Sequence, residues 1–243
     1  MFDLTGKKVL VTGSTQGIGE EIARTLHAAG ATVFINGASS MEKCERVASG
    51  LGARAVPVLC DLAAADCAER LYAATGDVDI LVLNASIQFR RAWDEITTDE
   101  FAAQINVNLR ASLLLIQKYA PGMQQKGWGR VLTVGSVQQY KPHKDMAVYA
   151  ASKAAQLNLV CNLAKQLAPY GITINNLAPG VIATPRNHDA LQDADYAKQV
   201  YAGIPAGVLG ESRDCAGAAL LLCSEEGRYI TGIDLPVDGG MRL

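Results

Sequence analysis

Along the chain, short apolar runs rich in β-branched residues alternate with longer stretches whose apolar positions recur every three or four residues. The runs KKVLVT (7–12), ATVFIN (31–36), ARAVPVL (53–59), VDILVLN (78–84), GRVLTVGS (129–136), GITINNLA (171–178) and GIDLPV (232–237) read as strands. The stretches 17–29, 41–50, 64–74, 98–124, 147–168 and 212–224 read as helices. Most of the strand runs are apolar throughout instead of alternating, as expected of parallel strands covered on both faces. Strand–helix alternation therefore predicts an α/β protein, a doubly wound parallel sheet of seven strands with helices on both faces and right-handed crossovers. No repeat, low-complexity tract or linker interrupts it, so residues 1–243 are expected to form one domain.

Composition narrows the picture. In 243 residues, 49% are hydrophobic, which suits a globular chain with a substantial core, and the net charge of −2 carries no basic block or stripe. Nucleic acid and membrane are thus not expected partners. No apolar run approaches the roughly 18 residues that a membrane span needs. MFDLTGKKVLVTG runs almost at once into a strand, leaving no room for a signal peptide. Six cysteines (44, 60, 67, 161, 215 and 223) form no C-x-x-C pair and no His–Cys cluster, so no disulfide framework or metal site is expected. These features lead to an expectation of a reduced, cytoplasmic protein.

In a doubly wound sheet of the Rossmann type, ligands sit beyond the carboxyl ends of the strands. VTGSTQGIGEEIA (11–23) places Gly13, Gly17 and Gly19 between the first strand and the first helix. Glycine there permits a tight turn and brings a pyrophosphate close to the amides at a helix N-terminus. The spacing is G-x-x-x-G-x-G, unlike the G-x-G-x-x-G fingerprint, so position in the first βα unit carries the argument.

The segment SVQQYKPHKDMAVYAASK (136–153) holds two tyrosine–lysine pairs at the same spacing, Tyr140 with Lys144 and Tyr149 with Lys153. Pro142 lies inside the first pair and discourages a helix across it. The second pair opens an alanine-rich helical stretch, where positions i and i+4 share a face. A phenol ordinarily titrates near 10, too high for a base at neutral pH, and a nearby ammonium favours its ionised form. Ser136 closes the fifth strand run, where its hydroxyl can reach a substrate oxygen in the crevice. Asn108, on the preceding long helix, could anchor a water near Lys153.

With these residues assembled, the chain resembles the classical short-chain dehydrogenase/reductase family over essentially its whole length. The matching features are Thr12-Gly13-x3-Gly17-Ile18-Gly19, Asn108, Ser136, Tyr149-x3-Lys153, APG at 178–180 and VDGG at 237–240. The overall pattern is similar to 3-oxoacyl carrier-protein reductases and to keto-sugar-acid dehydrogenases. The resemblance implies Tyr149 as general acid/base, and Lys153 as modulator of its pKa and binder of the nicotinamide ribose. It implies Ser136 as the substrate-orienting donor and Asn108 as holder of a relay water. Cofactor contacts would come from Gly13, Thr15, Gln16, Gly17, Ile18 and Gly19 and from Ala38 and Ser39. Further ones would come from Asp61 and Leu62 beside the adenine, Asn84 and Ala85 at the ribose, Pro179 and Gly180, and Ile182 and Thr184 at the carboxamide. One departure is Leu83-Asn84-Ala85-Ser86, where the family usually has N-N-A-G: Leu83 removes a polar contact and Ser86 adds a side chain beside the cofactor.

Cofactor choice is read at the end of the second strand, where an acid would bind the NAD ribose and an arginine the 2′-phosphate of NADP. FINGASSMEK offers neither, with Gly37 at the acidic position and Ala38 and Gln16 where arginine often stands. With no carboxylate to repel phosphate, and Ser39, Ser40 and a helix start to hold it, NADP(H) is favoured, with NAD(H) as the alternative. The segments 86–97 and 183–210 should flank the substrate, the second reading as an irregular, mobile lid. Arg90 and Arg91 either clamp an anion or pair with Asp94 and Glu95, and Gln138, Gln139, His143 and Lys144 would add polar lining.

These features predict an oxidoreductase that moves hydride between nicotinamide and a carbonyl or secondary-alcohol carbon. The substrate would be a small polar ketone, sugar, sugar acid or polyol, with a 3-oxoacyl thioester as the alternative. A nucleotide-sensing protein without catalysis is a remoter reading. An epimerase would normally need a longer C-terminal substrate domain. The resemblance also suggests a homotetramer.

Overall fold

The computed structural model describes residues 2–243; Met1, the first residue of the expected domain, and the side chain of Ala190, in the expected lid, lie outside the described residues. Seven parallel strands form one sheet in the order β3-β2-β1-β4-β5-β6-β7. They are β1 (Lys8–Val11), β2 (Thr32–Gly37), β3 (Ala55–Leu59), β4 (Ile80–Leu83), β5 (Gly129–Val134), β6 (Ile172–Pro179) and β7 (Asp234–Val237). The order reverses direction between β1 and β4, which opens a crevice at their carboxyl ends.

Alternation along each strand divides the core. Val9, Val11, Ile80, Val82, Leu132 and Val134 pack on one face with α1 (Gly17–Ala28), α2 (Met41–Leu51) and α9 (Ser212–Cys223). Leu10, Leu81, Leu83, Val131 and Ile174 pack on the other with α3 (Cys67–Thr75), α5 (Ala111–Lys126) and α6 (Ala147–Leu167). Two covered faces explain the apolar runs of β1 and β4, while β5 and β6 bury polar residues as well, among them Arg130, Thr133, Asn175 and Asn176. β3 differs: it is an edge strand, half exposed, and its Pro57 is tolerated because an edge leaves one side unpaired. Five cysteines are buried, while Cys161 is exposed.

The structure departs from the sequence expectation in three places. The helix expected over 98–124 is three pieces: α4 (Thr98–Ile105), a π-turn over Asn106–Arg110, and α5. A capping box between Thr97 and Glu100 starts α4. The wide turn lets the wholly buried Asn108 bond to neighbouring elements. Second, 183–210 is not irregular. It contains α7 (Pro185–Leu191) and α8 (Ala194–Ala202), seated on a small core of Val137, Val200, Ile204 and Met241. A bridge between Ile182 and Gly210 ties the two ends of the segment together. Third, β5 ends at Val134, so Ser136 lies beyond the strand and leads into a short 3-10 turn over Val137–Gln139.

Among the described residues no helix is long and apolar enough to cross a membrane.

Candidate active site

The glycine turn is pinned from beneath. Thr12 Oγ1 accepts from the amides of Asn84 (3.0 Å) and Ala85 (3.1 Å), joining the ends of β1 and β4. Asn84 Nδ2 donates to the carbonyls of Thr12 and Gly13, each at 3.0 Å. Buried Asn36, at the end of β2, accepts from Gly13 N at 3.2 Å and donates to the Val58 and Cys60 carbonyls of the β3 strand end. Gly19 is required by packing, since a Cβ there would lie 2.3 Å from Asn84 Nδ2 and 2.5 Å from the Gly13 carbonyl. The sequence reading missed Asn36; an asparagine at the end of an otherwise apolar strand run was the available signal.

Above this floor lies a crevice of about 410 Å³. It is lined by Gly13, Thr15, Gln16, Gly17, Ile18, Gly19, Ala38, Ser39, Asp61, Leu62, Asn84, Ala85, Ser136, Tyr149, Pro179, Gly180, Ile182 and Thr184. Sequence positions scattered from 13 to 184 thus meet in one cleft. Lys153 and Asn108 stand behind its wall, both with no exposed surface.

These two belong to a closed ring of buried polar groups. Lys153 Nζ donates to the Val134 carbonyl (2.6 Å) and to Gln156 Oε1 (3.2 Å). Gln156 Nε2 donates to Ser112 Oγ (2.8 Å), which donates to the Asn108 carbonyl (3.2 Å). Asn108 Nδ2 donates to Ser152 Oγ (3.1 Å), and Ser152 Oγ donates to the Tyr149 carbonyl (2.7 Å). Each link removed would leave a buried group unpaired, at about 1–3 kcal/mol. The Asn108 side chain also grips the Ile87 backbone from both sides, at 2.9 and 3.0 Å. Both protons of its Nδ2 are therefore committed to protein partners, while Oδ1 keeps a lone pair beyond the bond from Ile87 N.

Tyr149 and Lys153 share the crevice-facing side of α6, with Lys153 Nζ 5.9 Å from the phenol ring centroid. Burial, and secondarily the charge of Arg186, lower Lys153 from 10.5 to about 7. The amine has three protons and two acceptors, so one remains for a ligand. The other pair is separate: Tyr140 and Lys144 are exposed in the loop before α6.

Ser136 Oγ accepts from Gln138 N at 3.2 Å. Its own amide donates to Gln139 Oε1, while Gln139 Nε2 donates to Asp234 on β7. Gln139 thus braces Ser136 from behind and does not line the crevice, and neither His143 nor Lys144 reaches it; Gln138 does. Arg91 pairs with Glu100 at 2.9 Å, not with Asp94 or Glu95, and Arg90 faces the crevice against Tyr196. Leu83 is buried in the core. Ser86 accepts from Arg186 through both its hydroxyl (3.0 Å) and its carbonyl (2.6 Å). Sequence reading gave Arg186 no role.

The residues fit a dinucleotide. The first turn of α1 has no side-chain cap, so its amides face the crevice free for phosphate. At the far end, Gly37 lies close to Cys44 and Thr15, leaving 2.7 and 2.9 Å for any Cβ, so an acidic side chain has no room there without displacement. Lys43, one turn into α2, lines that end, and Arg46 donates to the Thr15 carbonyl at 3.3 Å. Both cations escaped the sequence reading, which examined only the strand end.

A protein-family model described as Enoyl-(Acyl carrier protein) reductase matches residues 13–242. The chain is 35% identical over 243 residues to the 3-oxoacyl-(acyl-carrier-protein) reductase FabG of Rickettsia prowazekii, covering 100% of both chains. Its fold is similar to a 3-oxoacyl (acyl-carrier-protein) reductase of Agrobacterium tumefaciens solved with NADP bound. There the TM-score is 0.91 and the identity 36%, over 98% of this chain and 95% of that one. It is equally similar to a gluconate 5-dehydrogenase of Burkholderia cenocepacia in complex with NADP and tartrate, with a TM-score of 0.92 and 34% identity. That match covers 99% of this chain and 96% of the other.

Proposed function

The chain belongs to the classical short-chain dehydrogenase/reductase family and is an NAD(P)-dependent oxidoreductase acting on CH–OH groups, and on that premise we propose that its substrate is a small polar ketone, sugar, sugar acid or polyol. Tyr149 is the general acid/base. In reduction its phenol gives a proton to the carbonyl oxygen; in oxidation its phenolate takes the alcohol proton. A nicotinamide dinucleotide bound in the crevice supplies or accepts the hydride. Ser136 orients the substrate oxygen through its hydroxyl. Lys153 directs its remaining proton toward the cofactor ribose and, when charged, favours phenolate. Asn108 fixes the π-turn against α6 and holds a relay water. The remaining crevice positions, from Gly13 to Thr184, hold the cofactor.

The observation that carries this reading is the meeting of Ser136 and Tyr149 in one crevice, with Lys153 Nζ held 5.9 Å from the Tyr149 ring centroid by its bonds to the Val134 carbonyl and Gln156. Lys43 and the absence of an acid at Gly37 favour NADP(H) over NAD(H). Relatives crystallised with NADP support the same preference. A lid formed by 183–210 closes on the substrate, and the single domain assembles as a homotetramer. Leu115 and Ile116 are already used in the core, so the partly exposed Leu113 and Leu114 are what α5 can offer a neighbour.

The alternative is reduction of a 3-oxoacyl thioester, as the FabG name suggests for that relative. The polar lining by Gln138, Arg90, Arg186 and Tyr196 favours the small polar substrate. A panel of sugar acids, polyols and 3-oxoacyl thioesters, followed at the reduced-nicotinamide absorbance with both cofactors, separates them. Tyr149→Phe is expected to lower turnover by about a hundredfold or more while leaving NADPH binding intact. Turnover undiminished by that change would refute the assignment, and NADPH binding with no turnover of any substrate would point to a nucleotide sensor.

A further inference from the structure

Two guanidinium groups face the crevice near its catalytic end, and neither has a carboxylate partner among the described residues. Arg186, near the start of α7, donates Nη1 to Ser86 Oγ at 3.0 Å and Nη2 to the Ser86 carbonyl at 2.6 Å. Arg90 donates Nη2 to the Tyr196 phenol at 3.2 Å, with Cζ 5.2 Å from that ring's centroid. The only other charged lining residues are Lys43 and Asp61, which belong to the β2–β3 end. Four other arginines, Arg24, Arg91, Arg130 and Arg213, pair with glutamates. Two cations left uncompensated in one cleft, each steadied by neutral oxygen, form a seat for a mobile anion.

We propose that the substrate carries a carboxylate close to the reacting carbon and that Arg90 and Arg186 bind it. The inference rests on the oxidoreductase reading above and narrows its substrate to a hydroxy acid or its keto acid. Arg90 and Arg186 line the same crevice as Ser136 and Tyr149, so an anion held by them lies at the catalytic end of the cleft. The phosphate of a carrier-protein arm, at the far end of a long flexible chain, does not fit that placement. Ser86 gains a purpose, because its hydroxyl adds a second anchor for the guanidinium where glycine would offer only a carbonyl. Gln138 agrees: its amide oxygen is buried in the crevice wall without a donor, and a substrate hydroxyl can supply one.

The test uses the full chain. NADPH binding is first measured by fluorescence; its absence would defeat the oxidoreductase reading itself. With NADP present, four- to six-carbon aldonates are then compared with alditols of the same chain length, and 4′-phosphopantetheine is added as a competitor. Aldonates should be oxidised with KM about tenfold or more below that of the alditols. Arg90→Gln and Arg186→Gln should each raise aldonate KM by about tenfold. Alditol KM and NADPH affinity should stay within about twofold. Ser86→Gly keeps both cations and should give a smaller rise in aldonate KM, so the proposal stays testable if Arg186→Gln fails to fold. With NADPH bound, any of three results overturns the proposal: aldonates no better than alditols or inert, Arg186→Gln weakening NADPH instead of aldonate, or competition by 4′-phosphopantetheine.

Discussion

Lys153 is a buried amine whose neighbours offer it oxygen but no negative charge. At about 7 it is charged in only about half of the free molecules near neutral pH. An anionic dinucleotide with ribose hydroxyls against the amine favours its protonated form. Binding of NADPH at pH 8, where the nucleotide's own phosphates are fully ionised, should therefore take up a proton. Calorimetry in two buffers of different ionisation enthalpy measures the uptake, which Lys153→Met should abolish; equal apparent enthalpies in the two buffers would show that the amine is already charged. Of the two tyrosine–lysine pairs, the sequence identified the one carried on a helix because Pro142 sits inside the other. It could not do the same for Arg186, whose bonds to Ser86 depend on α7 folding back over residue 86, a relation with no trace in spacing.

At the scale of elements, the βα turn tolerates nothing on Gly19. Gly19→Ala should lower stability by about 1–3 kcal/mol through overpacking and weaken NADPH binding as the turn shifts. Gly217→Ala, on α9 where no atom lies within 4 Å of the new methyl, should instead be neutral or raise stability by up to about 1 kcal/mol. Urea titration of both variants checks the contrast, and equal effects would show that propensity and not crowding governs Gly19. β1 and β4 were legible because burial on both faces writes an unbroken apolar run, whereas half-exposed β3 and β7 and asparagine-bearing β6 were legible from their place in the strand–helix alternation. The break in the helix at Asn106–Arg110 was not, since a π-turn keeps helical composition. The helices α7 and α8 were obscured by polar residues and Pro185, although Tyr196, Val200 and Ile204 recur at the helical spacing that packs α8.

For the molecule as a whole, two buried titrating groups oppose one another. Burial pushes Asp234 up from 3.8 to about 6, partly offset by its bond from Gln139. Its folded value lies above the unfolded one, so its contribution to stability is complete below about pH 4 and is lost as pH rises through 6. Lys153 runs the other way: its contribution is complete above about 10.5 and is lost as pH falls through 7. Both are charged inside the fold just below neutrality, where these two groups favour folding least. Asp234→Asn should flatten the decline in thermal midpoint between about pH 4.5 and 6.5, whatever its overall offset. Curves that stay parallel to the unaltered protein would show that Asp234 titrates normally. The ring that joins Lys153 through Gln156, Ser112, Asn108 and Ser152 to the backbone of Tyr149 is made wholly of the protein's own groups. The entropy of arranging those groups is thus surrendered once, as the chain folds, and not again in each cycle. The scaffold beneath Tyr149 therefore adds no ordering cost of its own to a turnover.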